Sequence, residues 1–169
     1  MLHKLIIGAF VVLFLNSCST SFFEDNLSQI LGVQAEIENV QTFNESAGIH
    51  GDGFILEKYK LSEKTIKTFI EKPFQDLPDK TEGGKHYQKY NWSKDAIDSS
   101  YNEIFIMCLN YASDNEKIKV QLNEINNVLK KKEIYYSFYF IPNKENPQNV
   151  QLFILDVQCQ RLYAIDQQI

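Results

Sequence analysis

Apolar and polar residues alternate over several stretches of the chain, and these stretches predict β-strands. Residues 33–43 begin with such an alternation, as in a strand with one face on a core, and residues 54–60 give the return strand. The polar, glycine-bearing residues 44–53 between them predict a turn. Near the end of the chain, three more strands are predicted at residues 134–141, 149–157 and 161–166.

Helical spacing of apolar residues predicts a helix after the first two strands. Ser62 is its expected N-cap, Ile66, Phe69 and Ile70 form its expected buried stripe, and Pro73 ends it. A shorter helix is expected around residues 27–31, where apolar residues also recur at helical spacing.

The longest helix is predicted after the segment SDNE. Ser113 and Glu116 have the spacing of a capping box, with Ser113 as the N-cap. The apolar stripe that follows consists of Ile118, Leu122, Ile125 and Leu129.

Two stretches lack a clear period. Residues 103–111 are apolar on both faces, which predicts a central strand covered on both sides. Residues 73–100 are punctuated by prolines and by Gly83–Gly84, and they are too long for a plain connection. We expect them to form a flap, to hold short helical turns, or to become ordered on a partner.

The order of these elements predicts an α+β fold. We expect an antiparallel sheet of about five to six strands with two main helices packed on it, after an N-terminal signal segment. The expected division is a signal peptide at 1–17, a tether with a short helix at 18–32, and one α+β domain at 33–169.

The N-terminus has the architecture of an export signal. Residues 1–4 include Lys4, and residues 5–15 are apolar, which is too short to cross a bilayer as a helix. Leu15, Ser17 and Cys18 then resemble the lipobox of bacterial lipoproteins. That resemblance implies cleavage before Cys18 and attachment of lipid to the Cys18 thiol, which would hold the domain at a membrane of the cell envelope. Asn16 is larger than the residue usual at its position in that motif.

Charge and cysteine content narrow the choice of partners. The net charge is −5, with 22 acidic and 17 basic residues, so no basic excess favours nucleic acid. An acidic protein suits a basic partner. With Cys18 lipidated, Cys108 and Cys159 remain, both in predicted strands, either as buried thiols or as one disulfide.

The segment GIHGDGF at residues 48–54 is the first candidate site. His50 and Asp52 could share a proton or contact a ligand, and the glycines would let the ligand approach the backbone. The alternative is a plain hairpin turn, since Asp-Gly is a strong turn signal. The segment is similar to a turn in small uncharacterised bacterial exported proteins, a resemblance that implies no activity.

The second candidate site is the segment KHYQKYNW at residues 85–92. His86 and Trp92 stand among tyrosines, and exposed aromatic rings here could stack on a sugar or anchor a protein partner. The favoured interpretation is that Trp92, the only tryptophan, packs this segment against the core.

These observations favour a binding protein. The sequence has no GxSxG, SxxK or HExxH motif, no P-loop and no dinucleotide fingerprint, and we expect no metal or other cofactor. The main hypothesis is a lipid-anchored binding module of the bacterial envelope, immunity- or inhibitor-like, with a membrane and a protein as partners. The alternatives are an envelope enzyme or ligand-binding protein that uses the His50/Asp52 turn, and a purely structural lipoprotein.

Overall fold

The computed structural model describes residues 21–47, 52–72, 76–94 and 96–169. Cys18 and His50 lie outside the described residues.

Six antiparallel strands form the main sheet, in the order β1-β2-β8-β7-β6-β5. A separate two-stranded hairpin, β3–β4, stands beside it. The strands are β1 (Ile37–Ala47), β2 (Asp52–Leu61), β3 (Thr81–Glu82), β4 (Lys85–His86), β5 (Gln88–Ser93), β6 (Ile134–Ile141), β7 (Asn149–Asp156) and β8 (Arg161–Gln168). The α+β class and the antiparallel sheet are thus confirmed.

Helices cover both faces of this sheet. One face packs on α3 and α4, the other on α1 and α2. The helices are α1 (Leu27–Leu31), α2 (Glu63–Glu71), α3 (Asn102–Leu109) and α4 (Glu116–Val128), with 3-10 turns at Glu24–Asn26 and Ser99–Tyr101. All eight residues of β7 are buried because this strand lies inside the sheet and both of its faces are covered.

The structure confirms the predicted start of α2. The Ser62 hydroxyl accepts a hydrogen bond from the Thr65 amide at 3.1 Å, so Ser62 is the N-cap. Ile66 and Phe69 are buried against the sheet. Ile70, which was predicted to be in the same stripe, is 42% exposed, so that part of the prediction is wrong.

The predicted central strand at 103–111 is wrong. Most of it belongs to helix α3, whose buried residues follow a helical rather than an alternating spacing: Ile104, Phe105, Cys108 and Leu109. Ile106 is 48% exposed between them. The continuous apolar run hid this period, because the helix carries apolar residues on its exposed side as well. The sixth strand instead comes from the irregular stretch, as β5.

Helix α4 begins two residues after the predicted position. Asn115 is its N-cap, with the Asn115 side-chain oxygen accepting from the Lys117 amide at 3.0 Å. Ser113 accepts from the Asn115 amide at 2.9 Å and bonds to the Glu45 carboxylate, so it fixes the preceding turn to β1. The capping box was therefore wrong. Ile118, Leu122 and Ile125 of the predicted stripe are buried in α4, but the fourth buried residue is Val128, and Leu129 is the partly buried C-cap.

Both cysteines of the described residues are free thiols. Cys108 is buried in α3, where burial raises the pKa of its thiol, and Cys159 lies in the turn between β7 and β8. Neither is in a strand, contrary to the prediction, and the disulfide left open by the sequence is not formed.

The Glu57 carboxylate fastens the N-terminal segment to the sheet. It accepts hydrogen bonds from the Phe22 amide at 2.8 Å, the Phe23 amide at 3.1 Å and the Ser21 hydroxyl at 2.9 Å. The hydroxyls of Thr42 and Tyr59 donate to the same carboxylate. Glu57 is fully buried, and both of its carboxylate oxygens accept hydrogen bonds from these donors.

Residues 21–31 are consequently part of the core and not a loose tether. Phe23, Leu27, Ile30 and Leu31 are all buried against the sheet. The described domain therefore includes residues that the sequence assigned to the 18–32 segment.

We expect Glu57→Gln to lower the free energy of unfolding by about 2–3 kcal/mol, because the amide nitrogen meets donors where the wild type offers an acceptor. Urea denaturation of the purified protein, followed by circular dichroism, measures this change. Glu38→Gln, on the exposed side of β1, is the control and should change stability by less than about 0.5 kcal/mol. Equal effects of the two substitutions would contradict the role assigned to Glu57.

Candidate functional site

A cleft of about 410 Å³ opens between residues 22–30 and residues 78–82. Its floor is formed by β6 and β7, through Tyr139 and Gln151. One wall is the N-terminal segment that is bonded to Glu57. The other wall is residues 78–82, which lead into the β3–β4 hairpin and include β3. Its volume falls within the range of ligand pockets.

The lining of the cleft combines apolar and polar groups. The apolar side chains are Phe22, Phe23, Ile30, Pro78 and Tyr139. The polar ones are Asn26, Gln29, Asp79, Lys80, Thr81, Glu82 and Gln151. Phe22 and Phe23 meet edge to face at 4.8 Å between ring centroids, so together they form an aromatic wall.

Polar side chains are buried on the sheet face next to this cleft. Gln151 and Asp166 are each 3% exposed, and Asn149 is 9% exposed. The Gln151 side-chain amide donates to the Asp166 carboxylate at 2.7 Å, and Gln168 donates to its other oxygen at 3.1 Å. The rest of this face is largely apolar, so these residues form a distinct polar patch.

Lys80 connects the hairpin to the polar patch. Its ammonium lies 2.8 Å from the Gln151 side-chain oxygen, 3.1 Å from the Glu82 carboxylate and 4.8 Å from the centre of the Tyr87 ring. We call the space that these three groups enclose the Lys80 recess. The Tyr87 amide donates to the Lys80 carbonyl at 3.0 Å and closes the base of the hairpin.

Burial dominates the electrostatics here. It raises the pKa of Asp166 above the ordinary 3.8, while hydrogen bonds from Gln151 and Gln168 and the charge of Lys80 oppose that shift. The pKa of Tyr87 rises to about 12, first through burial and then through the negative charges of Glu82 and Asp166. The negative charges of Glu82 and Asp166 thus act on the same Tyr87 ring that the Lys80 ammonium faces.

The two sequence candidates that the structure describes, His86 and Trp92, do not line the cleft. His86 is exposed on β4, with its Nδ1 2.9 Å from the Thr81 hydroxyl. Trp92 is 2% exposed, and its indole N–H donates to the Ile30 carbonyl at 2.7 Å, so it packs in the core and offers no open face for stacking. His50 and the side chain of Asp52 lie outside the part of the chain that the structure describes.

Sequence reasoning missed the polar patch. Gln151 lies between two apolar residues of a predicted strand, and Asp166 ends another predicted strand after Ala164 and Ile165. A polar residue in such a run is the signal that could have found them. No sequence pattern indicated Lys80, because it lies in an irregular stretch and its partner Gln151 is distant in the sequence.

A second cavity, of about 470 Å³, lies at the end of α4. Three lysines stand around it, Lys94, Lys131 and Lys132. The Lys131 ammonium is already paired with the buried Asp156 at 2.8 Å, which raises the pKa of Lys131. One of the three lysines therefore serves a structural ion pair.

The cleft offers several kinds of group that can bind a ligand. Its described groups offer aromatic surface, amide donors and acceptors, and charges of both signs. Among the described residues, no group of three or more His, Cys, Asp or Glu side chains is placed to hold a metal ion. None of the helices in the described part of the chain is long and apolar enough to cross a membrane.

Comparison with known proteins gives no relative: no protein family, no curated protein and no solved structure matches this chain.

We expect the Asp166→Asn protein to gain stability relative to wild type as pH rises from 4 to 7. The folded wild type binds the Asp166 proton more tightly than the unfolded chain does, since its pKa is raised, so wild type loses stability as that proton leaves. Each unit of raised pKa corresponds to about 1.4 kcal/mol. Urea denaturation at several pH values measures the difference.

Asp98→Asn provides the control, because an amide hydrogen bond from Ser100 lowers the pKa of Asp98. The difference in free energy of unfolding between Asp98→Asn and wild type should change only below about pH 4 and stay constant above about pH 5. A flat Asp166→Asn difference over pH 4–7 would contradict the raised pKa.

Proposed function

We propose that this protein is a lipid-anchored binding protein of the bacterial envelope, and that it holds a segment of a partner protein in the cleft between residues 22–30 and 78–82. The observation that carries the proposal is the polar patch beside the cleft. Burying polar groups such as Gln151 and Asp166 is costly unless they are well bonded, and a packed apolar face would serve stability alone better.

The site of anchoring supports the same proposal. The lipobox resemblance at residues 15–18 implies attachment at Cys18, and Glu57 fastens the chain from Ser21 onward. Three residues of chain span at most about 11 Å. A domain anchored at Cys18 would therefore hold its cleft close to the membrane surface, because Phe22 and Phe23 line that cleft.

The charge of the protein favours a basic partner. Removal of residues 1–17 would leave 16 basic against 22 acidic residues, because Lys4 is the only charged residue of that segment. Near the cleft, Glu24 and Asp25 open the first helical turn and are exposed. An acidic rim attracts and orients a basic partner.

Anchoring is tested by expressing the full chain in a bacterium and fractionating the cells. We expect wild type in the membrane fraction, with an acylated N-terminal Cys18 by mass spectrometry, and Cys18→Ala outside it. Cys159→Ala is the matched control and should remain in the membrane fraction. An unmodified Cys18 in the mature protein would disprove the anchoring.

Partner binding is tested by photo-crosslinking in the cells that produce the protein. A photoreactive phenylalanine analogue replaces Gln29, which lies on the cleft wall and is exposed, or Val120, which is exposed on α4 across the sheet. We expect a discrete protein adduct from position 29 only. The same adducts from both positions, or none from position 29, would refute binding in the cleft.

A further inference from the structure

The Lys80 recess has the chemistry of a site for a positively charged side chain. A carboxylate from Glu82, an amide oxygen from Gln151 and the face of the Tyr87 ring surround one ammonium group. Behind Gln151 lies the buried Asp166, which has no salt-bridge partner within 4 Å among the described residues. Anionic and amide oxygens together with an aromatic face are how proteins recognise ammonium and guanidinium groups.

The protein itself supplies the cation that fills this recess. This cation is Lys80, which directly precedes β3 and whose carbonyl accepts the hydrogen bond that closes the hairpin. Its side chain is mostly buried. The hairpin that carries Lys80 is small: β3 and β4 have two residues each, and all four are exposed. A hairpin with so little buried surface opens at a small free-energy cost.

A further buried acceptor lies on the sheet face beside the recess. The side-chain oxygen of Asn149 is buried and has no hydrogen-bond partner among the described residues. Asn149 lies on the same face of β7 as Gln151 and pairs in register with Gln168, which binds Asp166. An unpaired buried acceptor calls for a donor, and basic side chains carry three or five of them.

The recess also continues into open space. Lys80, Glu82 and Gln151 line both the recess and the 410 Å³ cleft. A ligand lying in the cleft therefore has direct access to the groups that hold Lys80. The exposed Asp79, paired with Lys89 at 2.7 Å, lines the same opening, and the exposed Glu24 and Asp25 lie in the adjoining 3-10 turn.

We propose that the recess is the recognition site for a lysine or arginine side chain in a basic segment of the partner, and that Lys80 occupies it as an internal substitute until the partner's side chain replaces it. This inference rests on the proposed function of the cleft and adds the chemical class of its ligand. The protein would then select its partner by a basic residue flanked by further basic residues.

The test measures binding of a fluorescent peptide, acetyl-Lys-Gly-Lys-Gly-Lys-amide, to the full mature protein in detergent, by anisotropy. Its counterpart with norleucine in place of lysine keeps the alkyl chain and lacks the ammonium. We expect the lysine peptide to bind wild type at least tenfold more tightly than the norleucine peptide. Equal affinities would overturn the proposal.

The decisive comparison is Lys80→Met against Lys85→Met. Both remove one positive charge from the hairpin, but only Lys80 occupies the recess, whereas Lys85 is exposed on β4. We expect Lys80→Met to bind the lysine peptide at least fivefold more tightly than Lys85→Met, because the internal competitor is gone. The same affinity for both variants would show that Lys80 is a structural residue only.

A second pair of variants keeps the test valid if Lys80→Met does not fold. Glu82 is half exposed and Glu103 is exposed at the start of α3, so both accept Gln with little effect on folding. We expect Glu82→Gln to weaken binding of the lysine peptide at least threefold and Glu103→Gln to leave that binding unchanged. Equal effects of the two substitutions would contradict recognition of the lysine in the recess. A cleft-specific adduct from position 29 together with charge-independent peptide binding would leave the proposed function intact and refute the cation site alone.

Discussion

The buried carboxylate of Glu57 is the interaction on which the cleft depends. An unpaired carboxylate in this position would destabilise the fold, but five donors from residues 21–23, β1 and β2 surround it. The bonds to the Phe22 and Phe23 amides fix the course of the N-terminal segment. The aromatic wall of the cleft is therefore positioned by a residue that does not itself line it.

The two faces of the sheet differ in their buried polar groups. The face under α3 and α4 is densely apolar, with aromatic residues stacked across neighbouring strands, such as Tyr90 on Phe138 at 4.9 Å. Apolar burial on both faces stabilises the fold and offsets the cost of the polar groups buried on the second face. Gln151 and Asp166 stand on that second face, beside a cleft they help to shape.

The sheet is largely predictable from the sequence, because alternation marks β1 and β2 and long apolar strands mark β6, β7 and β8. The α3 helix is not, since a run that is apolar throughout has no period. The candidate site is even harder to predict. Gln151 meets Asp166 only because β7 and β8 pair in one register, and Lys80 binds Gln151 across 71 positions of chain. Sequence alone gives neither the register nor that long-range contact.

The position of Trp92 has a spectroscopic consequence. It is the only tryptophan of the chain, and it lies edge to face with Phe69 of α2 at 5.2 Å while its indole N–H bonds to the Ile30 carbonyl at the end of α1. Ile30 also lines the cleft. The intrinsic emission of this protein therefore arises from one buried indole whose hydrogen bond ends on the cleft wall. Any displacement of that wall would shift the emission wavelength without an added label.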